Sequence, residues 1–161
     1  MHNDFKIKSL DFQEFSDLFH SDDHQLAKLG ALRMVVDEHP GFPCRVSLQD
    51  AAIGEEVILL PYQHHRTTSP YQAGGPIFVR KNAETARLAI NEVPQMLLHR
   101  LLSLRCYEKS GMMKDALVLE GRELKEALHK IFSDPDISYV HIHNAKPGCF
   151  NCVAERANPE A

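Results

Sequence analysis

The feature that most constrains this chain is a series of short strand-like segments at hairpin spacings, with few helical segments between them. Phe5 to Leu10, Leu32 to Val36, Arg45 to Leu48, Glu56 to Tyr62 and Pro76 to Arg80 read as strands. So do Leu101 to Tyr107, Asp115 to Leu119, Ser138 to His143 and Phe150 to Ala154. Leu101–Tyr107 is open to two readings, because its leucines could extend a helix. Ser103, Arg105 and Tyr107 alternate with Leu102, Leu104 and Cys106, which favours a strand hairpinned to Asp115–Leu119 through Lys109-Ser110-Gly111. The helical segments are short. Asp11 to Phe15 opens one with Phe12, Phe15, Leu18 and Phe19 on a single face. Ser21 caps a second that ends at Gly30, Val93–Leu98 forms a third, and Arg122–Phe132 is the clearest, stopped by Asp134-Pro135. The pattern predicts an α+β fold with a curved, mostly antiparallel sheet and a few short helices, rather than a doubly wound parallel sheet. Neither GxGxxG nor GxxxxGK occurs, which removes the usual sequence support for a nucleotide fold.

Length and charge narrow the function classes. At 161 residues the chain fits one compact domain over 1–161, with its core at about 5–156. With 43% apolar and 25% charged residues the usage is globular, which excludes a fibre or a disordered tail. The net charge of −4 lacks the basic footprint of a nucleic-acid binder. The densest apolar run, Val57–Leu60, is far shorter than the roughly 20 residues that span a bilayer, so no membrane partner is expected. The N-terminus shows no cationic region followed by an apolar stretch, and the expected location is cytoplasmic. In a reducing compartment Cys44, Cys106, Cys149 and Cys152 read as free, metal-binding or catalytic thiols.

Chemistry concentrates in His141-Ile142-His143-Asn144-Ala145-Lys146-Pro147-Gly148-Cys149-Phe150-Asn151-Cys152. On a strand, Tyr139, His141 and His143 share one face, taken as the open one, while Val140 and Ile142 face the core. Two chemistries fit. His141, His143, Cys149 and Cys152 could form a tetrahedral zinc site, because imidazole and thiolate are the ligands zinc takes in that geometry. Alternatively Cys149 is a nucleophile, with His143 as its base and Asn144 orienting the imidazole. The plainer reading is a polar strand ending in a turn. Cys44, between Pro43 and Arg45, is a competing thiol or a small buried hydrophobe, and a Cys44–Cys149 redox pair is a third option.

The polar stretch from His64 to Gly75 is the longest loop candidate, and His64 and Tyr71 could line a pocket beside the His141 strand. Arg45, Arg80 and Arg105 lie on or beside predicted strands, where guanidinium groups would suit a carboxylate or phosphate. Ordinary ion pairing with Asp and Glu is the alternative.

Several stretches together resemble a known family. They are Pro40-Gly41-Phe42-Pro43-Cys44-Arg45-Val46-Ser47-Leu48, Ser69-Pro70-Tyr71 with Gly75-Pro76-Ile77-Phe78-Val79-Arg80, Ser103-Leu104-Arg105 with Tyr107, and His141-Ile142-His143-Asn144-Ala145 with Gly148-Cys149. The chain resembles, from about Phe5 to Arg156, the bacterial proteins of domain of unknown function family 1203. The resemblance implies a bacterial single-domain protein and no established activity. The family pattern has counterparts of Cys44, His64, Arg80, Arg105, His143, Asn144 and Cys149 but none of Cys152, which weakens the four-ligand zinc reading. The sequence therefore leads to a small-molecule enzyme with Cys149, His143 and Asn144 as catalytic residues. Arg45, Arg80, Arg105, His64, Tyr71 and Cys44 would bind a small anionic substrate. The alternative is a non-catalytic ligand- or zinc-binding module on His141, His143, Cys149 and Cys152, with zinc not favoured.

Overall fold

Strand β7 (Tyr139–Asn144) lies at the centre of a five-stranded antiparallel sheet ordered β1-β8-β7-β5-β6, where β1 is Phe5–Lys8, β5 is Leu101–Tyr107, β6 is Met113–Glu120 and β8 is Phe150–Arg156. A second, three-stranded antiparallel sheet is ordered β2-β3-β4, with β2 at Leu32–Val35, β3 at Glu56–His65 and β4 at Ala73–Arg80. The molecule is a computed structural model that describes residues 3–157. It is mostly sheet with a few short helices: α1 (Asp23–Lys28), α2 (Gln95–Leu98) and α3 (Leu124–Ile131). Among the described residues no helix is long and apolar enough to cross a membrane.

Where one sheet is expected, the strands divide into two. The chain leaves β4 at Arg80 and runs through non-strand residues before α2, so β4 and β5 never pair. The five-stranded sheet is closed at its other end by β1, which pairs with β8 and so joins the two ends of the chain.

The alternation in β5 and β7 sets the core. Leu102, Leu104 and Cys106 on β5, Val140 and Ile142 on β7, and Cys152 and Ala154 on β8 are all fully buried and pack against Leu124, Leu128, Ile131 and Phe132 of the α3 region. These α3 positions recur at helical spacing, so one stripe of the helix covers one face of the sheet. Smaller apolar clusters sit around β3 and β4, including Phe15, Cys44, Val46, Ile77 and Val79.

Several local expectations change. Arg45–Leu48 forms a turn rather than a strand: Leu48 N–H donates to the Cys44 carbonyl, and Leu48 has φ +54°. Phe12–Glu14 and Ser16–His20 are 3₁₀ turns rather than one helix. Asp22, not Ser21, caps α1, because its carboxylate accepts from Gln25 N–H while the Gln25 side chain accepts from Asp22 N–H. The His64–Gly75 loop shrinks to residues 66–72, since β3 continues through His65 and β4 begins at Ala73. Arg156 ends β8 and donates to the carbonyls of Phe132, Asp134 and Ile137.

Leu104→Ala is expected to destabilise the fold by about 2–5 kcal/mol in urea unfolding, through lost burial and a residual cavity. Val118→Ala, on the exposed edge of β6 at 62% exposure, should change stability by less than about 0.5 kcal/mol. Equal effects would mean that the face toward α3 is not the core.

Candidate functional site

The second face of the five-stranded sheet carries the chemistry. Register pairs Ser103 with His143, Arg105 with His141 and Tyr107 with Tyr139, so all six side chains share that face. The face is not open to solvent. Tyr107 is 1%, His141 5% and His143 0% exposed, because the far end of β3 lies over them.

Two irregularities in the ladders build this cover. Between Tyr62 and His65, β3 advances three residues while β4 advances two. The extra residue breaks the alternation, and His64 and His65, though consecutive, both pack onto the β7 face. Between Ile142 and His143, β8 passes from Cys152 to Phe150, leaving Asn151 as the extra residue. That bulge turns Phe150 toward His143 while Cys152 stays in the core on the α3 side. Phe150 then stacks on His64 with ring centroids 5.0 Å apart.

The result is three imidazoles in one place. His64, His141 and His143 each bring one ring nitrogen within 4.8 Å of those of the other two. Each ring also keeps a buried nitrogen without a hydrogen-bond partner: Nδ1 of His64, Nδ1 of His141 and Nε2 of His143. His143 Nδ1 donates to the Gly148 carbonyl at 2.9 Å, which leaves Nε2 with its lone pair free. Burial holds all three rings neutral. The His64 pKa is lowered to about 4, with Arg105 adding to burial. For His141 it is lowered to about 2, with His65 and His64 adding, and for His143 to about 3, against the opposing pull of the Gly148 carbonyl. Neutral imidazoles with free lone pairs are metal ligands, and a backbone carbonyl on the remote nitrogen is the usual support for such a ligand. Three histidines fit zinc or another divalent transition ion and leave a fourth position for water or substrate.

His65 continues the cluster without joining the set. Its Nδ1 donates to the Tyr71 carbonyl, and its Nε2 accepts from the Tyr139 hydroxyl, both at 2.6 Å. Both nitrogens are therefore used.

Cys149 sits at the β7–β8 turn. The backbone closes this turn through Asn144 N–H to the Cys149 carbonyl and Gly148 N–H to the Asn144 carbonyl, with Gly148 at φ +81°. The Arg45 guanidinium donates to Cys149 Sγ at 3.1 Å, and the Asn144 amide lies 3.5 Å from it. Among the described residues no histidine nitrogen hydrogen-bonds Cys149. The expected Cys149–His143–Asn144 relay is not assembled, because His143 turns to Gly148 and Asn144 contacts the thiol directly. The four-ligand set of His141, His143, Cys149 and Cys152 is not assembled either. Cys152 is fully buried on the opposite face, and His64 takes the place that the thiols were expected to fill.

The other expected residues scatter. Arg80 pairs with Glu55 at 2.8 Å and donates to Ser47 and Gln49, beside a separate cleft of about 1050 Å³. Cys44 is buried in the β4 cluster, its sulfur accepting from the backbone N–H of Arg80 and Ser47. Arg45 is turned to Cys149 rather than to a pocket. Tyr71 packs edge-on to Tyr107 and is 38% exposed. Arg105 lies beside the three histidines, half-buried. Among the described residues it forms no ion pair. Sequence reasoning missed His65, Asn151 and the ligand role of His64. The adjacent His64-His65 was the one available signal, but a bulge is needed to put both on one face.

Because the three histidines are neutral in the fold and ordinary in the unfolded chain, unfolding takes up protons below pH ~6.5. Stability should therefore fall as pH drops from about 6.5 toward 4. Asp50 and Glu55, both held low by arginine partners against the opposing effect of burial, add their own loss only as pH falls below their ordinary values of 3.8 and 4.5. Urea titrations at stepped pH would show this slope, and His64→Gln should flatten it. A flat profile over that window would mean that the rings are not held neutral.

No curated protein and no solved structure matches this chain. A family model described as protein of unknown function (DUF1203) matches residues 41–156, a span that holds His64, His141, His143, Arg45 and Cys149. The chain belongs to that family.

Proposed function

We propose that the chain binds one divalent transition metal ion, zinc in the first instance, at His64, His141 and His143, and uses it on a small anionic molecule. The observation that carries this reading is the convergence of three neutral imidazoles from two different sheets, His141 and His143 buried and His64 half-buried, each with one buried nitrogen that has no hydrogen-bond partner. An unsatisfied buried polar atom costs about 1–3 kcal/mol, so three such rings in one cluster favour a ligand that satisfies them together. At about 2.1 Å from each nitrogen, a tetrahedral ion would draw them to roughly 3.4 Å apart, a small inward rotation of the rings.

The charge balance selects the substrate class. The ligand set contains no carboxylate or thiolate, so a bound divalent ion keeps its full charge. Arg105, directly opposite His141, adds another. An anion whose oxygen takes the open metal position while a second oxygen meets Arg105 neutralises both. The metal then supplies either an activated water or polarisation of the bound oxygen, the two standard uses of a three-histidine zinc. The reading as a non-catalytic zinc module keeps the same ligands and lacks the turnover.

Elemental mass spectrometry on purified, untagged protein dialysed without chelator should find close to one metal ion per chain. His141→Ala and the milder His64→Gln should both lose it, while Cys152→Ala should keep it. Metal-free protein that takes up no zinc in a competition titration, or variants that bind as well as the parent, would end the reading. In cobalt-substituted protein, inorganic phosphate should shift the visible spectrum. Arg105→Gln should retain cobalt and lose most of that shift.

A further inference from the structure

A second cluster of side chains lies at the same hairpin turn and does not depend on the metal reading. Arg45 is 1% exposed, and its guanidinium donates to the Phe150 carbonyl, the Pro43 carbonyl and Cys149 Sγ. Among the described residues it has no carboxylate partner. A buried, uncompensated charge costs several kcal/mol, so a buried guanidinium without a counter-ion is not a stable arrangement. The one group it hydrogen-bonds that can carry a negative charge is the thiol of Cys149. The thiol is only partly buried, at the end of a glycine-led turn.

A fully buried amide chain supports the same sulfur. Asn151 is 0% exposed and donates through Nδ2 to Asn144 Oδ1, and Asn144 presents its own amide to Cys149 Sγ. With the two amides so oriented, an Asn144 N–H faces the sulfur. Cys44 Sγ also accepts two donors, but only at Cys149 is one of them a guanidinium, and that is what favours negative charge on the sulfur. Asn151 Oδ1 remains buried and unpartnered, a further polar atom in this group without a protein partner.

We infer that Cys149 is a reactive thiolate whose counter-charge is Arg45, and that it attacks small electrophiles bearing a negative charge. The surroundings favour an anion. A cleft of about 500 Å³ is lined by Pro43 and Asn144, which contact Arg45 and Cys149, and by Lys146, Arg100, His99 and Glu120; Asp50 takes up Arg100 and His99, which leaves Lys146 as the cation of the cleft that forms no ion pair among the described residues. In the reaction the sulfur lone pair forms a bond to the electrophilic atom. The bond from that atom to its leaving group breaks, and the leaving group departs with the electron pair. A sulfur held in this way by Arg45 reacts without a general base. This explains why the thiol needs no histidine partner.

Alkylation of the full-length protein tests this directly. Iodoacetate and iodoacetamide are used at pH 7, sites are mapped by mass spectrometry, and glutathione serves as the reference. With either reagent an S–C bond forms and iodide leaves. A free thiol is only a few per cent ionised at that pH. Full ionisation, offset by weaker intrinsic nucleophilicity, should make Cys149 roughly tenfold faster than glutathione. Iodoacetate should gain more than iodoacetamide. Buried Cys44, Cys106 and Cys152 should stay unmodified, and Cys149→Ser should abolish labelling. Arg45→Met should slow labelling to the glutathione rate. Should that variant not fold, urea-unfolded parent protein gives the same comparison, since unfolding separates Arg45 from Cys149 and should remove the acceleration. Folded Cys149 reacting no faster than glutathione would overturn the inference. Acceleration that persists in urea would overturn the role of Arg45, and equal gains for the two reagents would overturn the anionic preference.

Discussion

Strand β7 is buried on both faces, and the rest of the structure is arranged around that constraint. A strand with water on one side can place any polar residue there. β7 cannot, so Tyr139, His141 and His143 must be satisfied inside the protein. Tyr139 finds His65, and His143 finds the Gly148 carbonyl. The rings of His141 and His143 still retain a lone pair each, and so does His64, delivered onto them by the three-stranded sheet. Their neutrality follows from the same burial, since a charged imidazole there would have neither solvent nor a carboxylate. The face toward α3 solves the identical problem with Val140 and Ile142 and needs no ligand. Fold and chemistry are thus two answers, on opposite faces, to one burial problem.

What the sequence disclosed was what has a period. The alternation through Leu101–Tyr107 and Tyr139–His143 correctly separates a core face from a second face, and the α3 stripe is legible at helical spacing. What it hid was what breaks a period. The extra residue in β3 turns two consecutive histidines the same way, and the extra Asn151 in β8 sends Phe150 and Cys152 to opposite faces. Both errors in the expected zinc set follow from these two bulges: Cys152 is excluded and His64 is admitted. The division into two sheets was equally hidden, because β1 pairs with β8 from the far end of the chain. The contact of Arg45 with Cys149 spans 104 positions and has no local signal at all.

The β7–β8 turn carries both candidate sites, and its backbone explains why. The Gly148 carbonyl fixes the His143 tautomer, while the next residue presents its sulfur to Arg45. Gly148 holds φ +81°, a conformation that glycine adopts without steric cost and a side chain rarely does. One glycine therefore orients a ligand ring on one side of the turn and a thiol on the other. Asn144 contributes similarly, closing the turn with its backbone and holding the sulfur with its side chain.

The charges around this turn point one way. Arg45, Arg105 and Lys146 stand near the second face of β7 or its turn, and neither the histidine cluster nor the Cys149 sulfur has a carboxylate bonded to it among the described residues. Carboxylates elsewhere are matched: Glu55 answers Arg80, Asp50 answers Arg100, and Asp134 and Asp136 answer Lys114. A chain with net charge −4 has enough acids to neutralise this region too, yet Glu120 is the one acid that lines the cleft beside the turn. A locally positive site in an acidic protein attracts anions, and the low dielectric of a buried face strengthens that attraction relative to bulk water. The same local field would favour negative charge at Cys149 and at the three-histidine centre alike, in keeping with the small anionic molecules proposed for both.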